Sequence, residues 1–290
     1  MAYFNNETVL YFDGQFSKAS ETKIDLYSQS LHYGYAVFEG IRSYKTVSGK
    51  TKILEAKAHY DRLKRSAEAL NLPYTYETET LIRHTYDLLE KNNIQNAYIR
   101  PLVFAPDNMS FNANNVSHLV IQCWEQPKFL GEKLLRVGIS GFQRPNPQAF
   151  KIYAKAAGHY VNSIMASQEV KSKGFDEALL LDQHGYVAEG PGANIFIEKD
   201  GKLFTPSLGY ILPGITRQLV IELCEELEIP VFEKEINVSE LKQADAAFYC
   251  GTAAEVVGFE SIDEYKFPLK WSDSVSAKLQ NAFNKLVIAD

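Results

Sequence analysis

The stretch Tyr153-Ala154-Lys155-Ala156-Ala157-Gly158-His159-Tyr160 sets one lysine among small residues, with nothing bulky to block its tip. An amine partly stripped of water by apolar neighbours is more readily unprotonated and can then attack a carbonyl to form a Schiff base. Taken alone, the segment reads as a surface lysine, the usual state of that residue, and further residues are needed to overturn that. A second stretch, Val187-Ala188-Glu189-Gly190-Pro191-Gly192-Ala193-Asn194, puts a carboxylate at the end of an apolar strand against a glycine-rich turn. Backbone there can approach a ligand closely, and the carboxylate suits the protonated ring nitrogen of pyridoxal phosphate. Two further segments supply donors. Leu212-Pro213-Gly214-Ile215-Thr216 opens a helix, whose free N–H groups and dipole favour a phosphate, and Cys250-Gly251-Thr252-Ala253-Ala254 follows a strand.

Other chemistries lack their signatures. The chain has no phosphate loop of the Gly-x-x-x-x-Gly-Lys-Ser/Thr type, no Gly-x-Gly-x-x-Gly, no Gly-x-Ser-x-Gly and no His-Glu-x-x-His, and its six histidines are scattered. No metal site is expected. Cys123, Cys224 and Cys250 are odd in number, far apart and in apolar surroundings, so they read as reduced core residues.

The elements that must position these groups follow from local period. Residues 8–12 and 15–18 flank Asp13-Gly14, and residues 36–47 and 51–55 flank Ser48-Gly49-Lys50, which predicts two antiparallel hairpins. Helices are expected over 57–71, with Leu63, Ala67 and Leu70 on one face, and over 78–92, with Leu81, Thr85, Leu88 and Leu89. Strands return at 97–104 and 116–124. After the break at 125–131, which contains Pro127, strands are expected at 134–141, 177–181, 194–197, 246–250 and 256–259. Helices are expected at 158–173, from 214 to 228, and from 272. Lys155 then falls at a strand end, just before a helix. Strand runs with interspersed helices argue for an α+β fold: a small domain over 1–124, a linker at 125–131 and a larger domain over 132–290.

At 290 residues the chain is long enough to bury a real core, and 46% hydrophobic against 23% charged residues is ordinary globular usage. The net charge of -6 is the wrong sign for a surface that attracts nucleic acid or anionic lipid along its length. The first ten residues lack the basic start and apolar core of a signal peptide, and no apolar run approaches a membrane span. A cytoplasmic protein with neither nucleic acid nor membrane as partner is expected.

With Leu31-His32-Tyr33-Gly34-Tyr35-Ala36-Val37-Phe38-Glu39-Gly40-Ile41-Arg42 and Ala97-Tyr98-Ile99-Arg100-Pro101 added, these segments, in this order, resemble the class IV aminotransferases. These are the fold type IV pyridoxal phosphate enzymes, with the D-amino acid aminotransferase-like two-domain fold, and within them the closest resemblance is to the branched-chain amino acid aminotransferases. The resemblance runs from about residue 10 to 260. It implies pyridoxal 5′-phosphate bound in the cleft between domains, with Lys155 as the catalytic Schiff-base lysine and carrier of the substrate proton. Tyr160 would hydrogen-bond the cofactor's phenolic oxygen, and Glu189 would keep the ring nitrogen protonated. Arg62, the Ile215 and Thr216 amides, and the Thr216 and Thr252 hydroxyls would grip the phosphate.

For substrate the resemblance implies Phe38, Tyr98, Arg100 and Phe129, with the Thr252 and Ala253 amides on the α-carboxylate. Tyr33 and residues 109–114 would reach across the interface of a homodimer, or of a multiple of dimers. The implied reaction exchanges an amino group between Leu, Ile or Val and 2-oxoglutarate, so the partners are small amino acids and 2-oxo acids. The chain also departs from the branched-chain pattern. Ala157-Gly158-His159-Tyr160 stands where Gly-Gly-Asn-Tyr is usual, Ala193 replaces a Glu, and Gln126 replaces a Trp. The Gly-Pro-Gly-x-Asn form also occurs in relatives that act on chiral amines. A D-amino acid or amine transaminase, or an aminodeoxychorismate lyase of the same fold, is the alternative.

Overall fold

Residues 3–127 and 129–290 are described by the structure, a computed structural model; residue 128, in the expected linker, lies outside them. The chain divides into two units. One runs up to Gln126 and includes Ala154–Gly158 and Ile288–Asp290, and the other comprises Pro127–Tyr153 and His159–Val287.

The first unit opens with β1 (Val9–Phe12) and β2 (Gln15–Lys18). Asp13 and Gly14 both have positive φ, 44° and 93°, as the tight turn of a two-residue hairpin requires. Then follow α1 (Gln29–Tyr33), β3 (Ala36–Phe38), β4 (Ile41–Lys45), β5 (Thr51–Ile53), α2 (Ala56–Ala69), α3 (Thr78–Lys91), β6 (Ala97–Phe104) and β7 (His118–Glu125). The sheet order is β2-β1-β7-β6-β4-β5, with β3 also paired to β6. Tyr60, Leu63 and Ala67 of α2 and Leu81, Leu88 and Leu89 of α3 form one core with Val37, Ile41, Ile99, Val103 and Ile121 of the sheet. Leu63, Ala67, Leu81, Thr85, Leu88 and Leu89 are buried as the helical period predicted, whereas Leu70 falls just past the end of α2 and is only partly buried.

The strand expected over 36–47 is broken into β3 and β4. Phe38 pairs with Leu102 and Ile41 with Ile99, so the register runs straight through the gap. Pro101 lies opposite Glu39; the Glu39 N–H donates to the Pro101 carbonyl at 2.9 Å, but proline has no N–H to return. The interruption leaves Glu39 and Gly40 outside the ladder.

The second unit contains β8 (Leu135–Gln143), α4 (Tyr160–Ser172), β9 (Glu177–Leu181), β10 (Val187–Glu189), β11 (Asn194–Lys199), β12 (Lys202–Thr205), α5 (Ile215–Glu226), β13 (Val231–Glu233), α6 (Val238–Leu241), β14 (Ala246–Gly251), β15 (Glu255–Ile262), β16 (Tyr265–Lys266) and all but the last residue of α7 (Val275–Ile288). Strand order is β10-β9-β8-β15-β14-β11-β12-β13, and β10 pairs with β11 as well as β9. Six strands therefore close into a ring, which leaves fewer unpaired edges. Glu189 is at the closure, opposite Leu180 on one side and Asn194 on the other.

Candidate active site

In the first unit Lys155 is not at a strand end, as its sequence neighbourhood suggested. Its segment has no β-branched residue and pairs only through the single bridge of Ala156 with Val37. It is held by hydrogen bonds instead. The Lys155 N–H donates to Ser66 Oγ at 3.0 Å, its carbonyl accepts from the Phe38 N–H at 3.0 Å, and the Gly158 N–H donates to the Gly34 carbonyl at 3.1 Å. The amine lies 5.1 Å from the centroid of the Phe38 ring. The Arg100 guanidinium lies 4.4 Å from the same centroid and donates to Tyr98 Oη at 2.9 Å. Lys155, Phe38, Tyr98 and Arg100 thus form one cluster.

Arg62 is buried, with Nε and Nη2 on the two carboxylate oxygens of Glu39 at 2.6 and 2.8 Å. His59, one turn earlier on α2, shares Glu39 Oε2 at 2.7 Å. Burial alone would raise the Glu39 carboxyl; Arg62 and His59 beside it override that and hold it well below the usual carboxylate range. Burial lowers His59 against the pull of Glu39, so it serves as a neutral donor. Tyr33 is apart from this cluster, exposed, with its hydroxyl donating to the Met109 carbonyl at 3.3 Å and its ring 5.3 Å from that of Phe111.

In the second unit the Glu189 carboxylate is buried and accepts from Arg144 Nη2 at 2.9 Å and the Leu212 N–H at 3.1 Å on Oε1, and from Asn194 Nδ2 at 3.0 Å on Oε2. Asn194 Nδ2 also donates to the Leu212 carbonyl at 3.1 Å, which ties the start of α5 to Glu189. The contact requires Gly214, where a Cβ would fall 2.0 Å from Asn194 Oδ1. Gly214 caps α5 without a side-chain hydrogen bond, and the first turn, with Ile215 and buried Thr216, holds no acid. The turn with Thr252 and Ala253 follows β14, whose Cys250 pairs with Asn194, so it adjoins the Gly190–Ala193 loop. The Phe129 N–H donates to the Ala253 carbonyl at 3.0 Å, which brings those two together. Tyr160 begins α4 directly after His159, a buried residue in edge contact with Phe150.

These groups fit pyridoxal phosphate. An α5 N-terminus free of acid suits a phosphate, a buried, donor-braced carboxylate suits a ring nitrogen that must carry a proton, and Lys155 is flanked along the chain by the small Ala154 and Ala156. Cysteine chemistry does not fit, because burial pushes the Cys123 and Cys224 thiols up to about 12 and raises Cys250 as well. No group of residues able to hold a metal occurs among the described residues.

Sequence reasoning missed Glu39, His59 and Arg144. Glu39 left a trace, a charge directly after the apolar run Ala36-Val37-Phe38, and His59 and Arg62 stand three apart on one helix face. Arg144, between Gln143 and Pro145, left none.

The family model for class IV amino-transferases matches residues 36–262. The branched-chain-amino-acid aminotransferase of Pseudomonas aeruginosa is 38% identical to this chain, covering 99% of it and 95% of the relative. Among solved structures, the branched-chain aminotransferase of Thermoproteus uzoniensis with norvaline has a TM-score of 0.93 at 34% identity, covering 97% of this chain and 95% of that one. The T.th. branched-chain amino acid aminotransferase complexed with N-(5'-phosphopyridoxyl)-L-glutamate has a TM-score of 0.91 at 32% identity, covering 97% and 94%. With a family model spanning most of its length and relatives this similar from end to end, the chain belongs to the class IV aminotransferases.

Proposed function

We propose that the chain transfers amino groups between the branched-chain L-amino acids Leu, Ile and Val and 2-oxoglutarate, with pyridoxal 5′-phosphate as cofactor. The reading is carried by the end-to-end similarity to branched-chain aminotransferases. The phosphopyridoxyl-glutamate of one relative supports both the cofactor and the second substrate. When bound, the cofactor supplies an electron sink for the carbanion formed at the substrate α-carbon. Lys155 holds the cofactor and then moves the proton at that carbon. Glu189 keeps a proton on the ring nitrogen, and Tyr160 hydrogen-bonds the phenolic oxygen. Ile215, Thr216, Thr252 and Arg62 bind the phosphate, with Glu39 fixing the plane in which Arg62 presents its guanidinium. Phe38, Tyr98 and Phe129 supply aromatic walls, the Thr252 and Ala253 amides take the α-carboxylate, and Arg100 takes the distal carboxylate of glutamate. Tyr33 serves the neighbouring site of a homodimer, or of a multiple of dimers, in the cytoplasm. Among the described residues no helix is long and apolar enough to cross a membrane.

A panel of amino donors assayed with 2-oxoglutarate tests the reading. L-leucine, L-isoleucine and L-valine are expected to react, and D-amino acids and simple amines to fail. Comparable turnover of the latter would replace the reading by an amine or D-amino acid transaminase. Release of pyruvate from a chorismate derivative without any amino acceptor would replace it by a lyase.

A further inference from the structure

Arg100 is held through Tyr98, and Tyr98 is held in turn by its neighbours on the sheet. Arg42, Tyr98 and Trp124 are direct cross-strand partners on β4, β6 and β7, so their side chains share one face of the sheet. The Tyr98 and Trp124 rings lie 5.1 Å apart at 38°. Gly40 leaves the space Tyr98 occupies, since a Cβ there would fall 2.1 Å from the Tyr98 hydroxyl oxygen. Gln126 closes the row. Its side-chain carbonyl accepts from the Trp124 indole N–H at 2.8 Å, and its backbone carbonyl accepts from Arg42 Nη2 at 2.7 Å. Tyr98 therefore sits inside a ring of contacts that runs from Arg42 through Gln126 to Trp124.

We infer that Trp124 and Gln126 are positioning residues that set Arg100 through Tyr98 and so decide how well a substrate ending in a carboxylate competes with a branched aliphatic one. The inference rests on the proposed role of Arg100. Arg100 Nε is buried and has no hydrogen-bond partner among the described residues, and Nη2 is spent on Tyr98. An arriving carboxylate relieves that buried donor only if the guanidinium stands at the right place and tilt, because charge-assisted pairing is directional. An aliphatic side chain asks only for apolar walls. Loosening Tyr98 therefore weakens the first kind of substrate selectively.

The test uses the holoenzyme with Trp124→Phe, which keeps a ring and removes the indole N–H, and Gln126→Leu, which removes its acceptor. Specificity constants for glutamate and leucine are measured, and the affinities of the unreactive acids glutarate and 4-methylvalerate are read by calorimetry. Either variant should weaken glutamate and glutarate about fivefold, the size of one neutral hydrogen bond, and leucine and 4-methylvalerate several-fold less. In an Arg100→Ala background, itself expected to be selective against glutamate, Trp124→Phe should add little. Equal losses for both ligand classes, or full additivity with Arg100→Ala, would overturn the inference while leaving Arg100 in place. An Arg100→Ala enzyme with an unchanged glutamate-to-leucine ratio would instead remove the role of Arg100, and the inference with it.

Discussion

Donors from three separate segments converge on the buried Glu189 carboxylate, among them the guanidinium of Arg144 and the side-chain amide of Asn194, both buried with it. Such bracing fixes the plane of the carboxylate, which a partner for a protonated ring nitrogen needs. Glu189→Gln keeps the shape and removes the charge. It is expected to retain cofactor and to lose roughly a hundredfold or more in kcat, the scale of a lost electrostatic or acid-base contribution. An unchanged rate with cofactor bound would sink the assignment. Lys155→Ala should lose the visible absorbance of the bound cofactor and essentially all turnover; borohydride reduction followed by peptide mapping that found the cofactor on another lysine would refute it. Lys155 and Glu189 could be singled out in the sequence because their neighbours are unusual, alanines around one and glycines after the other. Their supports could not. Arg144 reaches Glu189 across 45 positions and Glu39 reaches Arg62 across 23, and only folding chooses such partners.

Elements with a clear period were legible and the short connecting ones were not. The α2 and α3 faces and the β1–β2 turn follow from spacing and from Asp-Gly chemistry. The β3–β4 break depends on a proline in a different strand, and α1, β12 and β13 are too short to carry a period. The entry to α4 gives a measurable consequence. Burial and then the Arg144 guanidinium lower His159 to about 4 from 6.5, and the N-terminal end of a helix is a poor place for a cation. The unfolded chain takes up this proton near 6.5 and the folded chain only near 4. The stability contribution is therefore fully present above about pH 6.5 and is lost as pH falls toward 4, on the order of 3 kcal/mol. His159→Asn removes the group. Urea midpoints at pH 7 and pH 4.5 should show the wild type losing more stability than the variant, while His59, also lowered by burial, cancels because both proteins carry it. A difference that does not grow on acidification would refute this account.

At the scale of the whole molecule, the sequence offered a break near residue 125, but not the return of Ala154–Gly158 to the first unit or the closure of six strands in the second. Both come from pairings between distant residues. The same scale raises the question of what covers the apolar side chains around α1. Leu31, Tyr33, Met109 and Phe111 are exposed, Phe111 to 90%. The segment that carries the last two is nevertheless built and held. The Gln29 N–H donates to the Pro106 carbonyl at 2.9 Å, Gln29 Nε2 to the Ser110 carbonyl at 2.8 Å, and Asn114 Nδ2 to Gln29 Oε1 at 2.7 Å. A loop with that many fixed polar contacts loses little further freedom on association, and its clustered apolar side chains gain by leaving water. A second copy of the chain is the occupant expected from the homodimer proposed above. Sedimentation should give a dimer or a multiple of dimers, and Phe111→Asp should shift it toward monomer and lower activity together, because Tyr33 would no longer reach a neighbouring site. A wild-type protein that sediments as a fully active monomer would remove both the dimer and the role of Tyr33.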